Sequence, residues 1–156
     1  MRIMANINIT ITKANMIATV ESLLWKYGKA IEGADNYKQV FNTHSQHGVF
    51  NVDDKVLSDS FVNRSREALE MLKEFISGSI NYDSTTGDPS VTLAMPTRWA
   101  SQQSLLQAAV NRYVEDGMMA DWLNVTAPTE AAVYTTRLPQ DETDIRVVLY
   151  AKGRPV

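Results

Sequence analysis

The chain has 156 residues, of which 44% are hydrophobic and 21% charged, and its formal net charge is -3. This length and composition are typical of one folded domain with a sizeable core, and they exclude a disordered chain. The acidic balance also counts against nucleic acid as the main partner, because binding to phosphates requires a basic surface.

The first predicted element is a short strand over residues 6–12. Ile7, Ile9 and Ile11 alternate with polar residues in this segment. An alternation of period two with β-branched residues is typical of a strand that buries one face. Thr12, at the end of the segment, suits the N-cap of the helix that follows.

A helix is predicted over residues 13–31, where apolar residues recur with helical spacing. The apolar stripe consists of Met16, Ile17, Val20, Leu23, Leu24, Tyr27 and Ile31. Gly28 weakens the last turn of this helix, and Gly33 suits its end. Residues 42–48 then form a polar loop in our interpretation.

A second helix is predicted over residues 54–77, with Gly78 beyond its end. Asp53 and Asp54 suit its start, because carboxylates interact favourably with the unpaired N–H groups of a helix N-terminus. Its apolar positions are Val56, Leu57, Phe61, Ala68, Leu69, Leu72, Phe75 and Ile76.

A second strand is predicted over residues 90–95, after the turn-rich residues 81–89. Val91, Leu93 and Met95 alternate with smaller or more polar residues. A lone strand would leave its backbone groups without hydrogen bonds, so we expect this strand to pair with residues 7–11.

Two further helices are predicted, over residues 97–123 and 128–152. Pro139 lies inside the second of them and should either kink the helix or restart it. A restart would place Asp141 and Glu142 in a new first turn, and Gly153 ends the helix. The fold class is therefore mainly α: a single domain over residues 1–156, with a four-helix bundle-like core and a small two-stranded β element.

Few residues in the sequence suggest catalysis or metal binding. His44 and His47 are the only histidines, and as metal ligands they would need further donors on a rigid element, so we interpret them as solvated loop residues. Asp141, Glu142 and Asp144 form an acidic cluster that we interpret as a helix start. No cysteine, nucleophile motif or phosphate-binding loop occurs in the sequence. We expect no catalytic residue, no cofactor and no metal site.

The candidate interface residues fall into two groups. Met118, Met119 and Trp122 lie near the end of a predicted helix, where methionine and an aromatic side chain would make an adaptable surface if exposed; core packing is the alternative. Near the C-terminus lie three cationic residues: Arg146, Lys152 and Arg154. They either complement the negative end of a helix dipole or belong to an arm that docks onto a partner.

Several stretches together resemble a known family. They are W-K-Y-G-K at residues 25–29, R-E-A-L-E-M-L-K-E-F at 66–75, V-T-L-A-M-P-T-R-W at 91–99, A-D-W-L at 120–123 and G-R-P at 153–155. In their order along the chain they resemble the small helical head–tail connector, or neck adaptor, proteins of tailed bacteriophages and prophages of gut Bacteroidetes. Pro139 departs from the continuous last helix of that pattern.

The resemblance implies a non-enzymatic structural protein of the virion, made in the host cytoplasm. Such a subunit forms a homo-oligomeric ring between portal and tail, contacts portal and tail or neck proteins, and meets DNA only where DNA passes nearby. No membrane contact is implied, and no catalytic residue is carried over. The alternative function is a cytoplasmic helical regulator or adaptor of mobile-element origin that acts through protein–protein contacts.

Overall fold

A computed structural model describes residues 4–30, 54–126 and 128–150 of the chain. In chain order the strands are β1 (Met4–Thr10), β2 (Asn81–Tyr82) and β3 (Pro89–Pro96), and the helices are α1 (Lys13–Ala30), α2 (Asp54–Glu70), α3 (Gln103–Thr126) and α4 (Pro128–Leu149). Two short 3₁₀ helices, Lys73–Phe75 and Thr97–Gln102, follow α2 and precede α3. The predicted mainly α class is confirmed, whereas the bundle-like arrangement stays a prediction.

The predicted pairing of the two longer strands is confirmed. β1 and β3 are antiparallel, with Ile7 opposite Leu93 and Ile9 opposite Val91. The sheet has three strands rather than two, because β2 pairs with the other edge of β3, giving the order β1-β3-β2. A strand of two residues is too short for any alternation to be visible in the sequence.

Glutamine side chains from α3 cover part of the free edge of β1. Gln107 Nε2 donates to the Thr10 carbonyl at 2.8 Å, and the Thr10 N–H donates to Gln107 Oε1 at 3.2 Å. Gln103 Nε2 donates to the Asn8 carbonyl at 3.0 Å. These bonds satisfy strand-edge groups that would otherwise be open to pairing with another chain.

The start of α1 is capped from a distant part of the sequence. The Lys13 N–H donates to Asp88 Oδ1 at 2.8 Å, and Asp88 lies at the end of the β2–β3 turn. Thr12 contributes its carbonyl, which accepts the Met16 N–H at 3.0 Å. The first turn of α1 therefore receives a side-chain acceptor that lies 75 residues away in sequence.

The second helix ends earlier than predicted, at Glu70 rather than at residue 77. The reason is that Ile76 forms a β-bridge to Leu93 and the Ser77 N–H donates to the Thr92 carbonyl at 2.8 Å. Residues 76 and 77 follow the sheet rather than the helix, although Ile76 also fits the apolar spacing of the predicted helix.

The boundaries of the last two helices also differ from the prediction. Residues 97–102 form a 3₁₀ helix, and α3 continues to Thr126, beyond its predicted end at residue 123. Of the two alternatives predicted at Pro139, the restart is wrong, because α4 is one helix that contains Pro139, and the kink stays a prediction. It ends at Leu149, where the Tyr150 N–H donates to the Arg146 carbonyl, and residues 151–152 lie outside the described part.

The first strand begins earlier than the predicted residue 6, because Met4 and Ala5 already belong to β1. Met4 is opposite Pro96 in the ladder, and Ala5 packs against the core while Met4 is half exposed. The strand extends this far because β3 is long enough to pair with it. In the part of the chain that the structure describes, no helix is both long and apolar enough to cross a membrane.

Helix α3 lies at the centre of the core and packs against α1, α2, α4 and β1. Its buried hydrophobic residues are Leu106, Ala109, Val110, Tyr113, Val114, Met118, Met119, Ala120, Trp122 and Leu123. The sheet adds Ile7 and Ile9 from β1 and Val91, Leu93 and Met95 from β3, and Ile11, just beyond β1, is also buried. Trp99, just before α3, donates its indole N–H to the Val148 carbonyl of α4 at 3.1 Å.

Candidate functional site

The first group of candidate interface residues belongs to the core. Met118 and Met119 are fully buried, and Trp122 is 1% exposed. A surface role for these three side chains in the folded subunit is therefore corrected to core packing. The physical reason is the central position of α3, which is contacted from several sides and so has apolar residues around most of its circumference.

Of the second group, only Arg146 lies in the described part. It is exposed on α4 and forms an ion pair with Glu142, with Nη2 2.8 Å from Oε1. Lys152 and Arg154 lie outside the described residues, as do His44 and His47. The expectation that the histidine pair is inert therefore stays a prediction.

The predicted acidic cluster is divided between the core and the surface. Asp141 is 4% exposed and lies in the middle of α4, so the interpretation as a helix start is wrong. Asp116 of α3 faces it and is 5% exposed. Arg137 is the nearest cation to Asp116, with 3.9 Å between Nη1 and Oδ1.

The ionisation of Asp141 is strongly perturbed. Burial raises its pKa to about 8, and a hydrogen bond with Asp116 and the charge of Asp116 add to this effect. Asp141 Oδ2 is buried and accepts no hydrogen bond from the described residues. A protonated Asp141 that donates to Asp116 satisfies both observations, because two buried carboxylates in contact cannot both be charged at low cost.

A partly buried ion pair, which we call the Arg64–Asp121 clamp, joins α2 to α3. Arg64 binds Asp121 through two bonds: Nε donates to Oδ2 at 3.0 Å and Nη2 donates to Oδ1 at 2.6 Å. Ser60 Oγ also donates to Asp121 Oδ2, at 2.6 Å. The hydrogen bonds from Arg64 to Asp121 raise the Arg64 pKa above its usual range, so the guanidinium is always charged.

Gly117 makes room for this clamp. A Cβ atom at this position would lie 2.6 Å from Arg64 Cδ and 2.8 Å from both Cγ and Nε. Real Cβ atoms do not approach other atoms so closely, so any side chain at position 117 would require Arg64 to shift.

The clamp extends to the surface through Glu67. The Tyr113 hydroxyl donates to Glu67 Oε2 at 2.7 Å, and Arg64 Nη1 donates to the same oxygen at 3.2 Å. Burial and the hydrogen bond to Glu67 raise the pKa of Tyr113 to about 12. Glu67 and Tyr113 are thereby held in fixed positions.

Glu67 and Tyr113 form one wall of an open groove of about 680 Å³, which we call the α2–α4 groove. Its lining comes from α2 and the turn after it, from α3, and from the end of α4. The lining residues are Glu67, Glu70, Met71, Lys73, Glu74, Tyr113, Glu142, Arg146 and Tyr150.

The α2–α4 groove carries an excess of negative charge, because its four glutamates face one lysine and one arginine. Glu142 is paired with Arg146, and Glu74 accepts the Tyr150 hydroxyl at 3.0 Å. That hydrogen bond raises the pKa of Tyr150. Within the described ranges Glu70 has no ion pair or hydrogen bond, so its charge is available to a partner.

A second, smaller groove of about 390 Å³ lies where β1, α1 and α3 meet. It is lined by Thr10, Thr12, Asn15, Met16, Thr19, Gln107, Asn111 and Glu115. Burial and the charge of Asp116 raise the pKa of Glu115. The side-chain amide of Gln107 forms hydrogen bonds with both backbone groups of Thr10. In this groove the polar side chain of α3 therefore serves to hold β1 against α3.

Among the residues at 4–30, 54–126 and 128–150, no group of three or more histidine or acidic side chains is placed to hold a metal ion. The groove residues Glu67, Glu70 and Glu74 were missed in the sequence. The spacing of three residues places Glu67 and Glu70 on one side of α2, whereas Glu74 lies in the 3₁₀ helix that follows. Comparison with known proteins found no matching family model, no matching curated protein and no matching solved structure.

Proposed function

We propose that this protein is a non-enzymatic structural subunit that forms a homo-oligomeric ring in the head–tail connector of a tailed bacteriophage. The observation that supports this proposal is the α2–α4 groove. It is open, lined by tyrosines and charged side chains, and lies on helices that are joined by the Arg64–Asp121 clamp. Such a groove suits a segment of another polypeptide, because charged and aromatic side chains supply both specificity and contact area at protein interfaces.

The connector assignment rests on the sequence resemblance to neck adaptor proteins. The partners would be further copies of the chain, the portal protein and the tail or neck proteins, and the site of action would be the virion. A net charge of -3 fits a subunit that binds proteins and does not hold DNA by its phosphates. The alternative, a cytoplasmic regulator or adaptor, would use the same groove as a monomer or dimer.

The test is to identify any portal and tail genes near its own gene, and to produce the protein alone and together with the proteins that they encode. The oligomers would be sized by light scattering after gel filtration and imaged by electron microscopy. We expect rings that bind the portal or the tail. A protein that stays monomeric or dimeric, and binds neither partner, would contradict the connector proposal and favour the adaptor.

A further inference from the structure

The side of α4 that faces away from the core is an uncharged stripe, which we call the α4 outer face. Six exposed residues follow one another along it at helical spacing: Ala132, Val133, Thr136, Gln140, Thr143 and Val147. Val133 is 46% exposed and Val147 is 64% exposed. The side of a helix that faces solvent usually carries charged residues, so the lack of charge along this face indicates a contact surface.

The two threonines make the α4 outer face more apolar than its sequence suggests. Thr136 Oγ1 donates to the Ala132 carbonyl at 2.7 Å, and Thr143 Oγ1 donates to the Pro139 carbonyl at 3.0 Å. Because these hydroxyl hydrogens are bonded within the helix, the threonine methyl groups remain for contact with a partner. A partner can therefore cover the face without leaving the two hydroxyl donors unpaired.

The α4 outer face has nearly the same order of residues in both directions along the helix. Val133 and Val147 lie seven residues before and after Gln140, and Thr136 and Thr143 lie four before and three after it. With a rise of about 1.5 Å per residue, two antiparallel copies of α4 centred on Gln140 place Val133 level with the partner's Val147. A two-fold contact requires such self-complementarity, because each residue meets the same residue type from both copies.

The charges on one flank of the face obey the same symmetry. Arg137 and Asp144 are seven residues apart, so they lie on one flank, about 4.5 Å before and about 6 Å after Gln140 along the helix axis. A two-fold axis brings equal flanks together, which places Arg137 beside the partner's Asp144. Both side chains have room for this contact, because their ion pairs with Asp116 and Arg112 span 3.9 and 3.8 Å and the side chains are 55% and 37% exposed.

We infer that two copies of this chain associate through the α4 outer face, antiparallel about a two-fold axis at Gln140. The occupant is a second copy rather than another protein, because both the order of the uncharged residues and the flanking charges complement themselves. A two-fold contact does not close a ring by itself, so this dimer goes beyond the proposed function and describes the protein before it meets portal and tail.

The size of the face sets the strength of the dimer. From residue 132 to residue 147 the face is about 24 Å long and about 10 Å wide, well below the area of about 800 Å² per partner of a standard interface. We therefore expect a dissociation constant of about 10–100 µM, measured by sedimentation velocity over a range of protein concentrations.

Cysteine cross-linking tests the contact and its direction, because the chain has no cysteine of its own. Gln140→Cys should form a disulfide-linked dimer at least about tenfold faster than Asp59→Cys, which places a thiol on the exposed side of α2. Val133→Cys and Val147→Cys should cross-link with each other in a one-to-one mixture. Neither should cross-link with itself, because antiparallel pairing separates equal positions by about 21 Å along the axis.

Charge exchange tests the flank of the face. Arg137→Glu and Asp144→Arg should each weaken the dimer at least about tenfold at low salt. A one-to-one mixture of the two variants should form a heterodimer, because one copy then presents two acidic residues to two arginines of the other. A chain with both substitutions should recover association. If circular dichroism shows that a charge variant does not fold, Val147→Glu replaces it and should weaken the dimer equally, because it buries a charge against an apolar residue.

Three results would overturn the inference. If the unmodified protein stays monomeric at about 200 µM, or if Gln140→Cys cross-links no faster than Asp59→Cys, the copies do not meet through this face. If Val133→Cys cross-links with itself as fast as with Val147→Cys, the contact is not antiparallel. Binding to portal and tail proteins is a separate measurement, so its failure contradicts the connector proposal and leaves the dimer in place.

Discussion

At the scale of single residues, Asp141 couples the core to pH. Its pKa is raised from 3.8 to about 8 in the folded state, so between these values the folded protein binds more protons than the unfolded chain. The contribution of Asp141 to stability is therefore greatest below about pH 4 and decreases as the pH rises towards 8. This direction is opposite to that of an aspartate in a salt bridge.

We expect Asp141→Asn to remove this pH dependence. The amide donates to Asp116 without a titratable proton, so the free energy of unfolding at pH 8 should rise by about 1–3 kcal/mol relative to the unmodified protein. Urea denaturation at pH 5 and pH 8 measures the difference. Asp59→Asn changes an exposed carboxylate on α2 and is the control, which should leave the pH dependence intact. An unchanged pH slope in Asp141→Asn would assign the titration to another group.

The effect of a substitution at Gly117 on stability should depend on whether Arg64 is present. Gly117→Ala gains up to about 1 kcal/mol from helix propensity but displaces Arg64, and we expect a net loss of about 1–2 kcal/mol. In an Arg64→Ala background the obstruction is gone, so the same change should become neutral or stabilising. A double-mutant cycle by chemical denaturation measures this reversal. If Gly117→Ala changes the stability equally with and without Arg64, then Arg64 does not require the absence of a side chain at position 117.

At the scale of elements, the cap on α1 joins a helix to a turn of the sheet. Asp88→Ala removes the side-chain acceptor for the Lys13 N–H and should cost about 1 kcal/mol of stability. Thr12→Ala should cost less, because Thr12 accepts the Met16 N–H through its backbone carbonyl, which the substitution keeps. Thermal denaturation of the two variants compares them directly. A larger loss of stability for Thr12→Ala than for Asp88→Ala would show that Thr12, the N-cap predicted from the sequence, is the more important cap.

Helix α4 tolerates Pro139 in its interior. Pro139 has no N–H, so the carbonyl four residues earlier lacks its helical hydrogen bond. Both Pro139 and the residue that carries this carbonyl are exposed. Water can solvate that carbonyl, which explains why the helix continues. We expect Pro139→Ala to stabilise the protein by about 1–3 kcal/mol and to raise its melting temperature. A fall in the melting temperature would mean that the core requires a bend at this position.

At the scale of the whole molecule, the buried residues of the described part end before the cationic residues Lys152 and Arg154 are reached. Leu149 is the last buried residue of α4, and Val148 accepts the Trp99 indole N–H. We expect deletion of residues 152–156 to change the melting temperature by no more than about 1–2 °C, because the buried residues of α4 end at Leu149. Self-association and binding to portal and tail proteins should decrease, and gel filtration measures both. A truncated chain that unfolds would place these residues in the core.

The sequence by itself determined those features that depend on local periodicity. The alternation of Ile7, Ile9 and Ile11 with polar residues defined β1, and the matching alternation near Leu93 identified the strand with which it pairs. The four helices were also predicted, because a stripe of apolar residues at helical spacing is visible within one element.

Only the tertiary structure decided the features that depend on residues far apart in the chain. Residues 76 and 77 join the sheet because β3 is close enough to bond them, and Asp88 caps a helix 75 residues earlier. Met118 and Trp122 are buried because α3 is surrounded, which no pattern within α3 alone reveals. Likewise, the α2–α4 groove exists only after α2, α3 and α4 pack together. Hydrogen bonding and burial depend on neighbours in space, and periodicity records only neighbours along one element.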